Sequence, residues 1–279
     1  MVLYDKVSLR ISKLVTTKYS TSFSLGIKMF HKDYRYPIYA IYGLVRVADE
    51  IVDTFHNVNK KKILDELKQE TFLAIKEGMS TNPIVHSFQY VVNKYKIDND
   101  LIEAFFHSME FDIYKNSYSK EEYDKYVFGS AEVIGLMCLK IFVDGDDEKY
   151  NSLKPYARSL GSAFQKVNFL RDIRSDLYER KRIYIPDVHQ EIFINDENKK
   201  KLESETEKEF EKALNGIKRL PSKVKLGVYL AYLYYKVLLD KIKRSSVKEL
   251  TSKRFRVSDF IKLILMFRAF VEVRVLRLI

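Results

Sequence analysis

A chain of 279 residues, 46% of them hydrophobic, can bury one large core, and its nine Gly and five Pro leave no flexible linker along which to divide it. The single Cys138 rules out an internal disulfide, and His31, His56, His86, His107 and His189 lack metal-ligand spacing, which argues against a zinc or Cys–His hydrolase. The net charge of +11 suits an anionic partner, yet no helix-turn-helix, zinc-finger or RNP pattern accompanies it, so nucleic acid is not expected.

Helical periodicity recurs almost throughout and no strand alternation competes with it, so the expectation is an all-α fold in one domain over 1–279. The first helices fall near 5–15 and 19–29, the second opening on YSTSFS at 19–24. A helix over 34–57 carries Tyr42, Arg46, Asp49 and Asp53 on one face, because residues three and four apart are neighbours on a helix. Around that stripe the helix is apolar, with Ile38, Ile41, Leu44, Val45, Ile51 and Val52. Helices near 60–77, 83–95 and 98–116 follow, with Asn82 placed to cap the one that opens at Pro83. The helix over 120–143 contains FGSAEVIG at 128–135 and Cys138, which reads as a core residue.

The helix over 152–178 repeats the arrangement, with Gln165, Asn168, Asp172 and Asp176 on one face amid Phe164, Val167, Phe169, Leu170 and Ile173. An extended RIYIP run then closes at Pro186. The stretch around 197–217 alternates Lys and Glu, the pattern of a solvated helix with pairs four residues apart. The helix over 221–243 carries YYKVLLDKI. The last, over 257–275, interrupts Phe267, Phe270, Val271 and Val273 with Arg268 and Arg274, and Leu276, Arg277 and Leu278 follow it. That pattern is shared by packed helices and by helices lying in a membrane interface. Pro37, Pro83, Pro155 and Pro221 read as helix starts, and Gly43, Gly135 and Gly161 as points of close approach beside a cavity. With no run of 18 or more uncharged apolar residues and no signal-peptide core, the expected location is cytoplasmic, at most peripheral at the inner membrane face.

One DxxxD is most simply a solvated, salt-bridged helix face. Two of them, each continued upstream by polar residues and embedded in apolar helix, imply two central helices whose carboxylates face each other across a cavity. Carboxylates taken out of water need a positive partner. Oxygen ligands without nearby His or Cys favour magnesium, with an anionic substrate completing its coordination.

At these residues the chain resembles the squalene and phytoene synthases, which join two prenyl diphosphates head to head. The resemblance rests on YSTSFS at 19–24, YGLVRVADEIVD at 42–53 and QKVNFLRDIRSDLYERKRIYIP at 165–186. A weaker match runs through YYKVLLDKI to the Arg256–Val257 pair. It implies an isoprenoid-synthase helical bundle around a central cavity. It implies that Asp49, Asp53, Asp172 and Asp176, with Asn168, hold two or three Mg²⁺ ions that bind the substrate diphosphates. Ser20, Ser22, Arg46, Gln165, Asn168, Arg171, Tyr235 and Arg256 match substrate contacts, and Tyr42, Arg46 and Tyr235 join the four aspartates in catalysis. Hydroxyl, amide and guanidinium donors suit a diphosphate leaving group. A carbocation needs dry, aromatic walls, for which Phe23, Phe128, Phe164, Phe169, Tyr232 and Tyr235 are candidates. Three residues depart from the family pattern: Phe128 stands where many members have Tyr, Glu132 where Gly is usual, and Ser175 where an acidic residue usually precedes the last aspartate.

The implied reaction is two successive ionisations through a cyclopropyl-carbinyl diphosphate, ending in proton loss. Without a Gly-rich dinucleotide fingerprint NADPH is not expected, which favours 15-cis-phytoene from two geranylgeranyl diphosphates, a step of carotenoid biosynthesis. The alternative within the family is squalene or dehydrosqualene from farnesyl diphosphate. The alternative of another class is a non-catalytic assembly or scaffold protein, against which all four aspartates are retained. Long prenyl chains and the basic charge make peripheral membrane contact a further expectation.

Overall fold

The computed structural model describes residues 2–186 and 194–279, apart from the side chains of Thr21 and Ser22; His189 lies outside the described residues. The helical periodicity is realised as thirteen α-helices among the described residues. They are α1 (Leu3–Tyr19), α2 (Thr21–Lys28), α3 (Lys32–Asp53), α4 (Lys60–Glu77), α5 (Pro83–Tyr95), α6 (Asn99–Tyr114), α7 (Lys120–Val127), α8 (Val133–Phe142), α9 (Asp147–Ser175), α10 (Asp196–Arg219), α11 (Ser222–Lys243), α12 (Val247–Ser252) and α13 (Asp259–Phe270). Three π-helical turns, Phe128–Glu132, Asp176–Arg180 and Val271–Val275, join α7 to α8 and extend α9 and α13. The RIYIP run is extended, as expected, and Ile183 bridges in parallel to Ser117 beyond α6.

Local chemistry accounts for most boundaries. The Asn82 side chain accepts from the amides of Ile84 and Val85 and opens α5 at Pro83. Pro37 and Pro155, expected at helix starts, lie inside helices, because α3 begins at Lys32 and α9 at Asp147, behind the Asp146 cap. A proline there forfeits one backbone hydrogen bond. Both helices are central and their burial outweighs that loss. The short α12 escaped the periodicity because it is set by a capping box, Ser246 with Glu249, rather than by an apolar stripe.

Six helices enclose the centre and alternate in direction. Phe23, near the start of α2, meets Tyr42 of α3 with ring centroids 4.1 Å apart. Phe30, just past the end of α2, meets Phe142 at the end of α8 at 5.1 Å. Thus α3, α9 and α11 rise from a floor near Phe30 and Phe142 to a mouth near Tyr42, while α2, α8 and α10 descend. Gly161 lets α9 cross the π turn before α8: a Cβ there would stand 2.7 Å from the Ala131 carbonyl oxygen. Gly43, expected beside the cavity, faces α1 instead, where a Cβ would meet the Ser12 hydroxyl at 2.6 Å.

The Lys/Glu-rich α10 is not simply a solvated helix. Its Leu202, Thr206, Phe210, Ala213 and Ile217 are buried, and Glu209 reaches Lys166 of α9 at 2.8 Å. Its charge alternation hid an apolar stripe of period three to four. No helix among the described residues is long and apolar enough to cross a membrane.

Candidate active site

The six helices leave a cavity of about 230 Å³. Along α9 it is lined from Asn168 at the mouth through Gln165, Phe164 and Gly161 to Leu153 near the floor. At about 1.5 Å per residue that descent spans about 22 Å. Phe30, Phe142, Leu153 and Leu220 close the floor, and polar groups gather at the top. There the Tyr235 hydroxyl donates to Asn168 Oδ1 at 3.2 Å, Asn168 Nδ2 to Gln165 Oε1 at 3.3 Å, and Gln165 Nε2 to Ser130 Oγ at 3.3 Å. The ladder ties α11, α9 and the π turn before α8 together at one height.

Three of the six aromatic candidates, Phe23, Phe164 and Tyr235, line the cavity, with Phe164 stacked on Tyr235 at 4.0 Å. The other three do not. Phe169 follows Asn168 by one residue and so points about 100° away, into a separate cluster with Tyr126 and Tyr184. Tyr232 packs edge-on against Phe210, and Phe128 lies 5.2 Å from the Arg158 guanidinium. Cys138 is buried but faces the cavity. Burial pushes its thiol up to about 12, so it is neither a nucleophile nor a base at neutral pH.

The two acidic pairs meet above the mouth. Asp49 and Asp53 lie in the last turns of α3, Asp172 in the last turn of α9, and Asp176 opens the π turn after it. That turn carries Arg180 back between them, with Nε 3.4 Å from Asp53 Oδ2 and Nη1 2.8 Å from Asp176 Oδ1. Burial pushes the Asp49 carboxyl up to about 7; Arg46, 3.8 Å away, offsets it only in part, and the charges of Asp53 and Asp112 add to it. Asp176 is likewise pushed up to about 7 by burial, with Arg180 opposing and Asp172 and Asp53 adding. At Asp172 burial also acts upward, but Arg171 and Arg254 outweigh it and hold the carboxyl below its usual range.

Both α3 and α9 point their C-terminal, negative dipole ends at these acids, a further cost of about 0.3–1 kcal/mol per carboxylate. Four carboxylates converging as oxygen-only donors fit a hard divalent cation such as magnesium. Among the described residues no three His, Cys, Asp or Glu side chains already form a ligand set, because arginines hold the carboxylates in ion pairs.

Besides Arg180, three further site residues escaped the sequence reading. Arg182, buried in the RIYIP run, donates to Asp53 Oδ1 at 2.9 Å, to the Asp112 carbonyl at 2.6 Å and to the Val52 carbonyl at 3.2 Å. Asp112 of α6 accepts from the Tyr184 and Tyr126 hydroxyls at 2.8 and 2.9 Å. Burial pushes its carboxyl up to about 6, against the pull of Arg182 and both tyrosines. The only available signal was the basic cluster at 180–182, wedged between an acidic motif and an apolar run.

The third is Arg254, whose Nε stands 2.8 Å from Asp172 Oδ1. Arg256 is exposed, and among the described residues only its carbonyl is engaged, by Lys241 at 3.0 Å. With Arg171, Arg174 and Arg180, Arg254 lines a second, polar cavity of about 180 Å³ against Asp172. Arg46 lies over the Tyr19 ring at 4.3 Å and pairs with Glu50. Ser20 sits half-buried at the break between α1 and α2, and the Ser22 side chain lies outside the described residues.

Residues 16–194 match the squalene/phytoene synthase family model. This chain belongs to the squalene/phytoene synthase family. It is a prenyltransferase that joins prenyl groups head to head. Among curated relatives it is similar to phytoene synthase 2 of Solanum lycopersicum, 25% identical over 261 residues that cover 86% of this chain and 83% of the relative. It is 26% identical to the phytoene synthase of Arthrospira platensis over 263 residues, 85% of this chain and 84% of the relative. Phytoene synthase 1 of Solanum lycopersicum is 26% identical over 267 residues, 90% of this chain but 64% of the relative. A dehydrosqualene synthase solved with a ligand superposes with a TM-score of 0.83 at 18% identity, covering 97% of this chain and 98% of that one. Squalene synthase HpnC from Alicyclobacillus acidocaldarius gives 0.76 at 18%, covering 91% and 98%. At such identity these structures speak for the fold, an isoprenoid-synthase bundle.

The departures from the family pattern have local explanations. Glu132 pairs with Arg158 Nε at 2.5 Å, and the same guanidinium covers Phe128, so these two changes share one partner. The Ser175 hydroxyl donates to the Asp172 carbonyl at 3.0 Å and leaves the acidic set unchanged.

Proposed function

We propose that this family member condenses two geranylgeranyl diphosphates to 15-cis-phytoene. The observation that carries the proposal is an apolar shaft of about 22 Å whose mouth opens beneath the four motif aspartates, with Arg171, Arg180 and Arg254 lining a second, polar cavity against Asp172. An extended chain advances about 1.2 Å per bond. A geranylgeranyl main chain therefore reaches about 18 Å and a farnesyl chain about 13 Å, and the shaft takes the longer in full. The names of the relatives point the same way.

Magnesium, held by Asp49, Asp53, Asp172 and Asp176 with Asn168, would supply positive charge to the diphosphate as its carbon–oxygen bond breaks. The chain's own groups do the rest. Arg46, Arg171 and Arg254 neutralise the departing diphosphate, which takes the bonding electron pair with it. The aromatic and aliphatic walls keep water from the allylic cation while the double bond of the second prenyl diphosphate attacks it and loss of a proton closes the ring of the cyclopropyl-carbinyl diphosphate. Ionisation of that intermediate with departure of its diphosphate, rearrangement to the 1–1′ linkage and loss of a second proton complete the reaction. The Tyr235 hydroxyl and Asn168 orient the diphosphate end, Tyr42 and Phe23 hold the first carbons of the chain, and no reductant is consumed. The hydrocarbon product partitions into lipid, so peripheral contact with the inner membrane face belongs to the same proposal.

The test is incubation with geranylgeranyl or farnesyl diphosphate and Mg²⁺, with and without NADPH, followed by mass analysis of the lipid extract. Phytoene from the longer substrate, indifferent to NADPH, is expected. Turnover of farnesyl diphosphate alone would make the enzyme a squalene or dehydrosqualene synthase. No product from either, with the helical fold intact, would leave the scaffold role.

A further inference from the structure

The C-terminal helix is apolar on the wrong side. One face of α13 packs on α11 through buried Leu265 and Ala269, with Val273 continuing it in the π turn. The Tyr234 hydroxyl reaches the Lys262 carbonyl at 3.3 Å, and the Tyr229 hydroxyl reaches Glu272 Oε2 at 2.5 Å. The opposite face should be polar, yet it presents Phe260, Leu263, Ile264, Phe267 and Phe270, with Phe260 73% and Phe267 70% exposed. At about 100° per residue these five side chains fall within about a third of the helix circumference. Leu276 and Leu278 continue the exposed apolar surface beyond the π turn. Single exposed hydrophobics are ordinary; a contiguous stripe of this kind marks a surface that something covers.

Charge identifies what covers it. From Lys253 to Ile279 the chain has seven Lys and Arg against two acidic residues, which concentrates nearly half of the net +11 in this segment. Asp259 and Glu272 are used up by Lys262 and Arg268, at 2.9 Å each. Arg256, Arg274 and Arg277 have no carboxylate partner among the described residues and are exposed. A second copy of this chain would bring an equally basic segment against the first. A bilayer carrying anionic headgroups offers an apolar interior for the phenylalanines and phosphate for the arginines at once, the arrangement of a helix lying in the interface plane.

We propose that the outer face of α13, continued through Leu276 and Leu278, docks the protein on an anionic lipid surface. Membrane contact rests on the function proposed above; the face and the class of lipid are new. The other side of α11 lines the cavity through Val228, Ala231 and Tyr235. The docked helix therefore places the cavity one helix away from the bilayer.

The experiment is flotation of the full chain, without substrate or metal, on neutral phosphatidylcholine vesicles and on vesicles enriched in phosphatidylglycerol. The expected result is recovery with the anionic vesicles, weakened by high salt, and at least about a tenfold loss of partitioning for Leu263→Glu with Phe267→Glu. Both positions are exposed, so the variant should keep the helical signal and thermal midpoint of the parent. If that midpoint falls, Arg274→Gln with Arg277→Gln tests the same face and should lower binding to anionic vesicles alone. Vesicle binding unaffected by either pair, no binding at all, or a dimer in solution that the Leu263/Phe267 pair splits would each overturn the proposal. Because no turnover is measured, failure of the docking face is distinguishable from failure of the proposed reaction.

Discussion

Arg182→Met separates a network that organises the acidic mouth from a collection of surface ion pairs. Methionine keeps most of the volume but removes a guanidinium that serves Asp53, Asp112 and two carbonyls from a position only 7% exposed. Losing one partner of a buried pair costs about 3–5 kcal/mol. Asp112 retains two tyrosine donors and, already pushed up to about 6, takes a proton readily. The lower end, about 3 kcal/mol, is therefore expected. At about 2–4 °C per kcal/mol for a chain of this size, the thermal midpoint should fall by about 6–12 °C. Arg180→Met is the control: that side chain is 33% exposed, so its ion pairs with Asp53 and Asp176 should be worth about 1 kcal/mol or less. Urea unfolding of Arg182→Met, Asp112→Asn and the double variant completes the cycle, with a coupling energy of at least about 1 kcal/mol expected. If the two substitutions are additive, or Arg182→Met costs no more than Arg180→Met, the network does not exist as described.

Asp53→Asn and Asp172→Asn should each lower turnover by at least about 100-fold while the helical signal persists; near-parental rates in either would remove it from the proposed metal set. Tyr235→Phe removes one hydrogen bond to Asn168, worth about 1 kcal/mol, and should slow turnover only about fivefold. Complete loss of product would instead give the hydroxyl a part in proton handling. Asp5 of α1 accepts from His86 Nε2 at 2.9 Å and from the Val2 amide at 2.8 Å, and the His86 bond in particular holds its pKa below 3.8 against burial. A depressed carboxyl stabilises the fold above its unfolded pKa and loses that contribution as pH falls through the folded value. Acid unfolding monitored by circular dichroism should accordingly begin at higher pH in Asp5→Ala than in the parent, and coincident curves would show the pair to be without effect.

Periodicity carried the architecture because helices of the bundle are long enough to repeat it. The face shared by Gln165, Asn168 and Asp172 is a property of about two turns of α9, and the spacing alone placed those residues together. It did not reveal what lay between elements. Arg182 acts from an extended segment with no period, and Asp112 is a lone acid whose partners, Tyr126 and Tyr184, are brought to it by α7 and by that same segment. Arg254 gave no sign of its pairing with Asp172 because 253–258 is not helical, so spacing there fixes no direction. In α10 the many Lys and Glu masked Phe210, Ala213 and Ile217, since composition weighs every residue equally whereas burial is decided by one face.

The direction of the helices explains why the acids need a counter-charge at all. An acidic residue at a helix N-terminus is favoured, and four aspartates placed there would be neutralised in part by backbone amides. Here α3 and α9 both rise around the shaft, on either side of α8, so both acidic pairs stand at C-terminal ends, where the dipole is adverse and the free groups are carbonyls. The adverse dipole adds to the burial that raises the pKa of Asp49 and Asp176, to which the neighbouring carboxylates also contribute. Arginine from the following turn and from the 180–182 cluster balances this negative charge only partly. In the proposed reaction the remainder would be met by divalent cations held on oxygen ligands and, through them, by a diphosphate that the carboxylates alone would repel.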